Sequence, residues 1–258
     1  MNMAWKKHAA LLLCMLLLIQ TLFAGCASLP AASPQEEQAA DVPETILWFN
    51  ATHAVLTELN GWDYNLFGGM EATEENRETM IPFLDEWWGV TDRDSAIENM
   101  DWLLSEGHRT EFSEFMQELE ADGWTEYSEE DIAAMMGELL EDEALGKSLA
   151  HCFMQYQAYG PTSIDGWDYS RALSLLGWYY IAGFYTESEA LDKALEISKE
   201  LQGKFSSWDE FIESYMRGYE YWAEESADPR RELYQQLKQR SDSPYRVAWD
   251  LALEKSWE

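Results

Sequence analysis

Gly166–Trp222 reads GWDYSRALSLLGWYYIAGFYTESEALDKALEISKELQGKFSSWDEFIESYMRGYEYW, and its patterning sets the fold class. From Trp167 to Tyr185 apolar and aromatic residues fill most of a helical circumference, leaving one narrow polar stripe of Ser170, Arg171 and Ser174 flanked by Trp167 and Trp178. A helix this apolar must be covered on several sides. Thr186-Glu187-Ser188-Glu189 then has capping-box spacing, in which the Thr186 hydroxyl accepts from the third helical amide and Glu189 reaches back. A second helix is predicted from Glu187, with Ala190, Leu191, Ala194, Leu195, Ser198 and Leu201 on one face and Gly203 as a left-handed stop. Ser207-Trp208-Asp209-Glu210 repeats the box. The third helix lays Phe211, Ile212, Tyr215, Met216, Tyr219 and Trp222 along one side.

Upstream, Pro43 opens a helix whose apolar side runs from Ile46 to Leu59 and ends at Asn60-Gly61. Gly61-Trp62-Asp63-Tyr64 repeats the residues of Gly166-Trp167-Asp168-Tyr169. Gly89–Ala96 echoes Gly183–Ala190, and Phe112–Met116 loosely echoes Trp208–Ile212, so an internal duplication is expected. Thr73 caps a helix that Pro82 interrupts, Thr91 caps the next up to Gly107, and His108-Arg109 open another. Ser128 caps a helix that breaks near Gly146 before continuing to Tyr159. Asp228-Pro229 and Ser243-Pro244 begin the last two, the final one carrying Val247, Trp249, Leu251 and Leu253. With no strand pattern anywhere, the expected fold is all-α, a compact multi-helix domain over residues 43–258.

At the N-terminus, Lys6 and Lys7 precede an apolar run from Ala9 to Ile19, and Leu22-Phe23-Ala24-Gly25-Cys26 follows. That is a secretory signal ending in a cysteine. It resembles the lipobox of bacterial lipoproteins, with Phe23 standing where that pattern prefers Leu, Val or Ile. The resemblance implies a signal peptide over 1–25, lipid attachment at Cys26 and fatty acylation (palmitate) of the new N-terminus. Residues 26–42, rich in Ala, Ser, Pro, Gln and Glu, have the composition of a flexible tether. The expected location is extracytoplasmic, anchored to the bacterial cell membrane through lipid.

The formal charge is −32, and losing Lys6 and Lys7 with the signal takes it to −34. Such a field repels nucleic acid and anionic lipid, so neither is an expected partner. Aromatics at 14% and apolar residues at 47% exclude disorder for the rest. Thirteen acids from Glu111 to Glu143, with no basic residue between Arg109 and Lys147, read as a solvated face, with a dock for a cationic partner or weak divalent-ion binding as the sharper alternative. Cys152 lies on an apolar helix and reads as a small core residue. His53, His108 and His151 lack metal-ligand spacing, and neither a phosphate loop nor a GxSxG elbow is present. No metal or cofactor is predicted.

Trp88-Gly89-Val90-Thr91, Asp101-Trp102-Leu103-Leu104, Gly107-His108-Arg109, Trp167-Asp168 with Arg171, Gly183 with Glu187 and Glu189-Ala190, and Phe205–Phe211 through Tyr215, Gly218 and Trp222 resemble the bacterial domain of unknown function 1266, from about residue 87 to 249. The resemblance implies a helical domain and no assigned activity. The polar residues singled out are His108, Arg109, Asp168, Arg171, Glu189 and Glu210. Helix capping and local pairing explain them: Asp168 at its own helix start with Arg171 three residues on, Glu189 and Glu210 in boxes. The alternative is a binding groove in which Arg171, with Trp167, Trp178 and Trp208 nearby, meets an anionic or planar ligand. Three functions remain open: a surface-tethered binding or interaction module without catalysis, an acidic inhibitor or immunity-like protein for a basic partner, and a hydrolase using a carboxylate pair such as Asp168 and Glu210.

Overall fold

The computed structural model describes residues 42–258. The expected signal peptide, Cys26 and the tether up to residue 41 lie outside the described residues. In chain order the helices are α1 (Glu44–Thr52), α2 (Ala54–Leu59), α3 (Glu74–Trp88), α4 (Arg93–Ser105), α5 (Gly107–Ala121), α6 (Glu129–Leu140), α7 (Glu143–Tyr159), α8 (Asp165–Ala182), α9 (Glu187–Lys204), α10 (Trp208–Ala223) and α11 (Asp228–Gln239). Among the described residues, single 3-10 turns lie between α2 and α3, between α5 and α6 and after α11, and no strand occurs. The fold is all-α.

Every residue of α8 except Tyr180 is buried, beneath α10, α9, α3, α4, α1 and α5. Leu173, Leu175, Leu176 and Ile181 are wholly enclosed, each contributing about 2 kcal/mol through removal of apolar surface from water. The polar stripe is enclosed too. Ser170 Oγ donates to the Thr52 carbonyl at 3.0 Å and Ser174 Oγ to the Arg171 carbonyl at 2.9 Å, so the stripe is satisfied internally.

The Thr186 capping box forms as expected, and Ser128 caps α6. Elsewhere tertiary contacts overrule the local signals. Pro82 does not interrupt α3, which runs through it, because Pro82 and Glu78 are exposed and water can serve the carbonyl that the proline leaves without a donor. The first helix instead breaks at His53, whose backbone turns to φ −121°. Asp92, not Thr91, caps α4. The break expected at Gly146 falls at Glu141–Asp142, where Asp142 caps α7; Gly146 lies inside α7, where a Cβ would come 2.4 Å from the Gly137 nitrogen of α6. Gly203 stays helical, and α9 ends at extended Phe205.

Ser243-Pro244 begins only a 3-10 turn, not a helix. The chain then runs as a strap whose carbonyls accept from side chains: Val247 from Trp208 Nε1 at 2.8 Å, Trp249 from Trp48 Nε1 at 3.0 Å and from Gln202 at 2.6 Å. A helix would occupy those carbonyls itself. The repeated tetrapeptide also splits. Gly61–Tyr64 forms a turn, whereas Gly166–Tyr169 lies inside α8; Gly89–Ala96 and Gly183–Ala190 share a left-handed glycine followed by a capped helix start, and Phe112–Met116 and Trp208–Ile212 are both helical, the first inside α5 and the second at the start of α10.

Candidate functional site

Two polar centres flank the start of α8. The first is closed. Asp168 has a fully buried side chain that accepts from the backbone amides of His108 at 3.2 Å and Arg109 at 2.9 Å, and from Arg109 Nη1 at 3.2 Å. It therefore caps α5, a helix 60 residues away in sequence and not its own, where Glu106 supplies no side-chain cap. Gly107 makes this approach possible: its φ is +61°, and a Cβ there would lie 2.2 Å from Asp168 Oδ2. Arg109 reaches back to the Leu103 carbonyl at 2.5 Å and to that of Leu104, tying the end of α4 to the start of α5.

Arg171 lies one turn along α8, 3.9 Å from Asp168, with its guanidinium 4.4 Å above Trp88 and 4.8 Å above Trp167. Its Nη1 is 2.9 Å from His108 Nδ1. Burial lowers the Arg171 pKa to about 10 against the pull of Asp168. Burial also pushes the Asp168 carboxyl up, but the donors around it, His108 and the Arg109 amide foremost, outweigh that and hold it below the usual carboxylate range.

The second centre is open. A cleft of about 580 Å³ lies between the Tyr159–Asp165 turn and the facing parts of α9 and α10. Ser163 shapes it: its carbonyl accepts from Ser214 Oγ at 2.9 Å and from Arg217 Nε at 2.9 Å, while Ser214 Oγ also receives the Gly166 amide at 2.9 Å. Arg217 lies 4.2 Å below the exposed Tyr159 ring, and the larger part of its surroundings is protein. Among the described residues neither of its Nη groups meets a carboxylate, because Arg231 takes both Glu213 and Glu220. Burial accordingly lowers the Arg217 pKa. Lys204 pairs with Asp165 at 3.3 Å, and burial nonetheless raises the Asp165 carboxyl. Glu210 is lowered by hydrogen bonds from Ser206, whose Oγ and amide lie 2.6 and 2.7 Å away.

The residues singled out by sequence thus divide among several places. Trp167, Asp168, Arg171, His108 and Arg109 meet in the closed centre. Trp178 packs edge-on against Trp62 and Phe83, at 5.7 and 5.3 Å. Trp208 joins Trp48 and Trp249 in the core, at 5.0 and 4.8 Å. Glu189 completes the Thr186 box and binds Arg93 across α4 and α9 at 2.8 Å. Glu210 lines the cleft but closes no box with Ser207; its carboxylate turns to Ser206. Sequence patterning does not single out Arg217, although it is the single basic residue between Lys204 and Arg230. That isolation among acids and aromatics was the available signal.

Among the described residues no three His, Cys, Asp or Glu side chains are grouped to hold a metal, and no helix is long and apolar enough to cross a membrane. Cys152 is buried at the α7 core, and burial pushes its thiol up. Residues 83–249, which include both centres, match the family described as Protein of unknown function (DUF1266). The chain belongs to this family. A DUF1266 chain of this kind has a distant relative in the uncharacterised protein YbeR of Escherichia coli (strain K12), 24% identical over 140 residues that cover 54% of this chain and 56% of the relative. The match thus spans little more than half of YbeR. No solved structure matches the chain.

Proposed function

We propose that this DUF1266 chain is a membrane-tethered binding module that takes a small ligand in the Arg217 cleft and performs no catalysis. The observation that carries the reading is a buried guanidinium that meets no carboxylate among the described residues, at the wall of an open cleft, in a protein with 49 acidic residues. A buried charge left unpaired is costly, and a ligand that supplies the counter-charge recovers that cost. Asp168, one half of the alternative hydrolase pair, has both oxygens engaged by amides and Arg109, which argues against it as a nucleophile or a proton carrier.

The anchor belongs to the same proposal. The signal over 1–25 directs export, and the lipid on Cys26 keeps the domain at the outer face of the membrane. Replacing Cys26 by Ser should release the protein from the membrane fraction and remove the lipid mass; retention with unchanged mass overturns the anchor. The binding reading is tested by thermal-shift measurements on the full chain in mild detergent against sugars, nucleotides, amino acids, peptides and divalent ions. Stabilisation that Arg217→Met abolishes supports it, and a flat response across the set removes it.

The inhibitor reading keeps one specific support, the acids along α5 and α6 between Glu111 and Glu143 that have no basic residue among them. Capture of a basic protein that is lost in high salt and survives Arg217→Met would favour it over the cleft.

A further inference from the structure

The cleft presents two kinds of free group. On one wall, Arg217 uses Nε for the Ser163 carbonyl, and its flat face is covered by Tyr159, so what remains is the end-on pair of Nη groups. That pair is the fork that grips a carboxylate through two parallel hydrogen bonds. On the other wall, Glu210 and Glu213 each spend one oxygen, Glu210 Oε2 on Ser206 and Glu213 Oε2 on Arg231. Among the described residues, their Oε1 atoms have no hydrogen-bond partner. Ser163, 3% exposed, also lines the cleft, and its buried Oγ has no partner.

These groups exclude the simplest ligands. A plain anion suits Arg217 but must enter past Glu210 and Glu213 against the field of a chain whose formal charge is −32. A plain cation suits the acids and the field, yet leaves Arg217 buried without a counter-charge. Resting on the binding reading above, we infer that the ligand is a zwitterion of the amino-acid or short-peptide class, its carboxylate on the Arg217 fork and its ammonium toward the free oxygens of Glu210 and Glu213. Tyr159, which is 61% exposed, then covers the carboxylate end. Polar partners at both ends give the site its selectivity, since an analogue lacking the carboxylate leaves the buried Arg217 unpaired and one lacking the ammonium forfeits the charge-assisted contact with Glu210 and Glu213.

The experiment is calorimetric titration of the full chain in detergent with the twenty amino acids and a set of dipeptides. Each compound that binds is repeated in N-acetylated form, which keeps only the carboxylate, and in C-amidated form, which keeps only the ammonium. The expected result is binding by intact zwitterions, weakened about 10- to 100-fold by either block, the range that loss of a charge-assisted hydrogen bond gives. Arg217→Met should abolish binding with helix content unchanged by circular dichroism. Arg217→Lys should restore only part of it, because the charge returns without the fork. Glu213→Gln should weaken the zwitterion and leave the N-acetylated form unaffected. Equal binding of zwitterion and N-acetylated form overturns the inference while leaving an anion-binding cleft. Binding unchanged in Arg217→Met overturns it together with the cleft. Silence from every amino acid and dipeptide also overturns it, and the broader ligand set then decides whether the binding reading survives.

Discussion

Arg171 and Arg217 are both buried arginines laid against aromatic rings, yet one is closed in and the other faces an opening. Arg171 lies near Trp88 and Trp167, with His108 at 2.9 Å and Asp168 behind it. Arg217 has Tyr159 on one face, the Ser163 carbonyl at Nε and a cleft beyond. Burial lowers the pKa of both. A guanidinium whose surroundings are complete holds helices in register; one whose surroundings are incomplete is a place for something else to bind. His53 supplies the third case, a buried base with neither an anion nor an opening, and burial lowers its pKa to about 4.

The largest test of this contrast is at the closed centre. Asp168→Ala strips the cap from α5 and leaves Arg109 and Arg171 without their buried carboxylate, and breaking a buried pair from one side costs about 3–5 kcal/mol. Urea unfolding should show that loss near neutral pH. A loss below about 1 kcal/mol would mean that the amides of His108 and Arg109 find water instead, and that the centre is not the joint between α5 and α8. In the native protein the Asp168 carboxyl is held below its usual value, so its contribution is complete at neutral pH, begins to fall only near the unfolded carboxylate range, and is lost as pH falls through the lowered value.

His53 should produce the next effect, and with a distinct pH window. Its Nδ1 lies 2.9 Å from Thr57 Oγ1, while Nε2 is buried without a partner. The folded pKa of about 4 lies below the ordinary histidine value of 6.5, so below pH 6.5 the unfolded chain takes up a proton that the folded chain refuses. Stability therefore falls as pH drops from 6.5 to about 4, by about 3 kcal/mol in all, and is unaffected above that window. Comparing wild type with His53→Gln across the window isolates the slope from that of the carboxylates. Parallel curves would place His53 in contact with water.

How far sequence could reach is instructive at these same residues. The enclosed rod of α8, the Thr186 box and the cap at Ser128 depend on neighbours three or four positions away, and periodicity carries that information. Asp168 reads as a local cap in the sequence because Asp near a helix start is one. Its true partner, the start of α5, is contributed by Gly107, whose left-handed turn has no distinctive spacing relative to residue 168. Likewise Trp167 and Trp178 fall on one face of one helix but three turns apart, so they meet different neighbours. From its apolar residues the strap after Pro244 reads as a helix. What it forms is set by the donors of Trp48, Trp208 and Gln202, which lie far from it in sequence. The cleft has three contributors, the Tyr159–Asp165 turn, α9 and α10, and no single stretch announces it.

At the open centre the expected cost to stability is small. Arg217→Met leaves no carboxylate stranded, the Ser163 carbonyl keeps its bond from Ser214 Oγ, and what disappears is one hydrogen bond and a partly exposed stack. The loss should be about 1 kcal/mol or less, or a slight gain from removing a buried charge. A loss as large as that of Asp168→Ala would erase the contrast between the two arginines and make Arg217 a second structural joint.

The smallest effect is expected at Glu189, which is partnered but exposed. Hydrogen bonding by Arg93, followed by that of Thr186, lowers its pKa to about 2. A carboxylate with a depressed folded pKa stabilises above its unfolded value of 4.5, and the contribution is lost as pH falls toward 2. Water and salt screen an ion pair whose side chains are 49% and 44% exposed, so little of that shift survives as stability. Glu189→Gln keeps an acceptor for the Thr186 amide, now 2.8 Å from the carboxylate, and Arg93 keeps its bond to the Phe184 carbonyl at 2.9 Å. Only the charge is removed. Thermal unfolding at low salt should therefore show a slight drop above pH 4.5 that vanishes in molar salt. A drop indifferent to salt would mean that the geometry of the box, and not the ion pair across α4 and α9, is what Glu189 contributes.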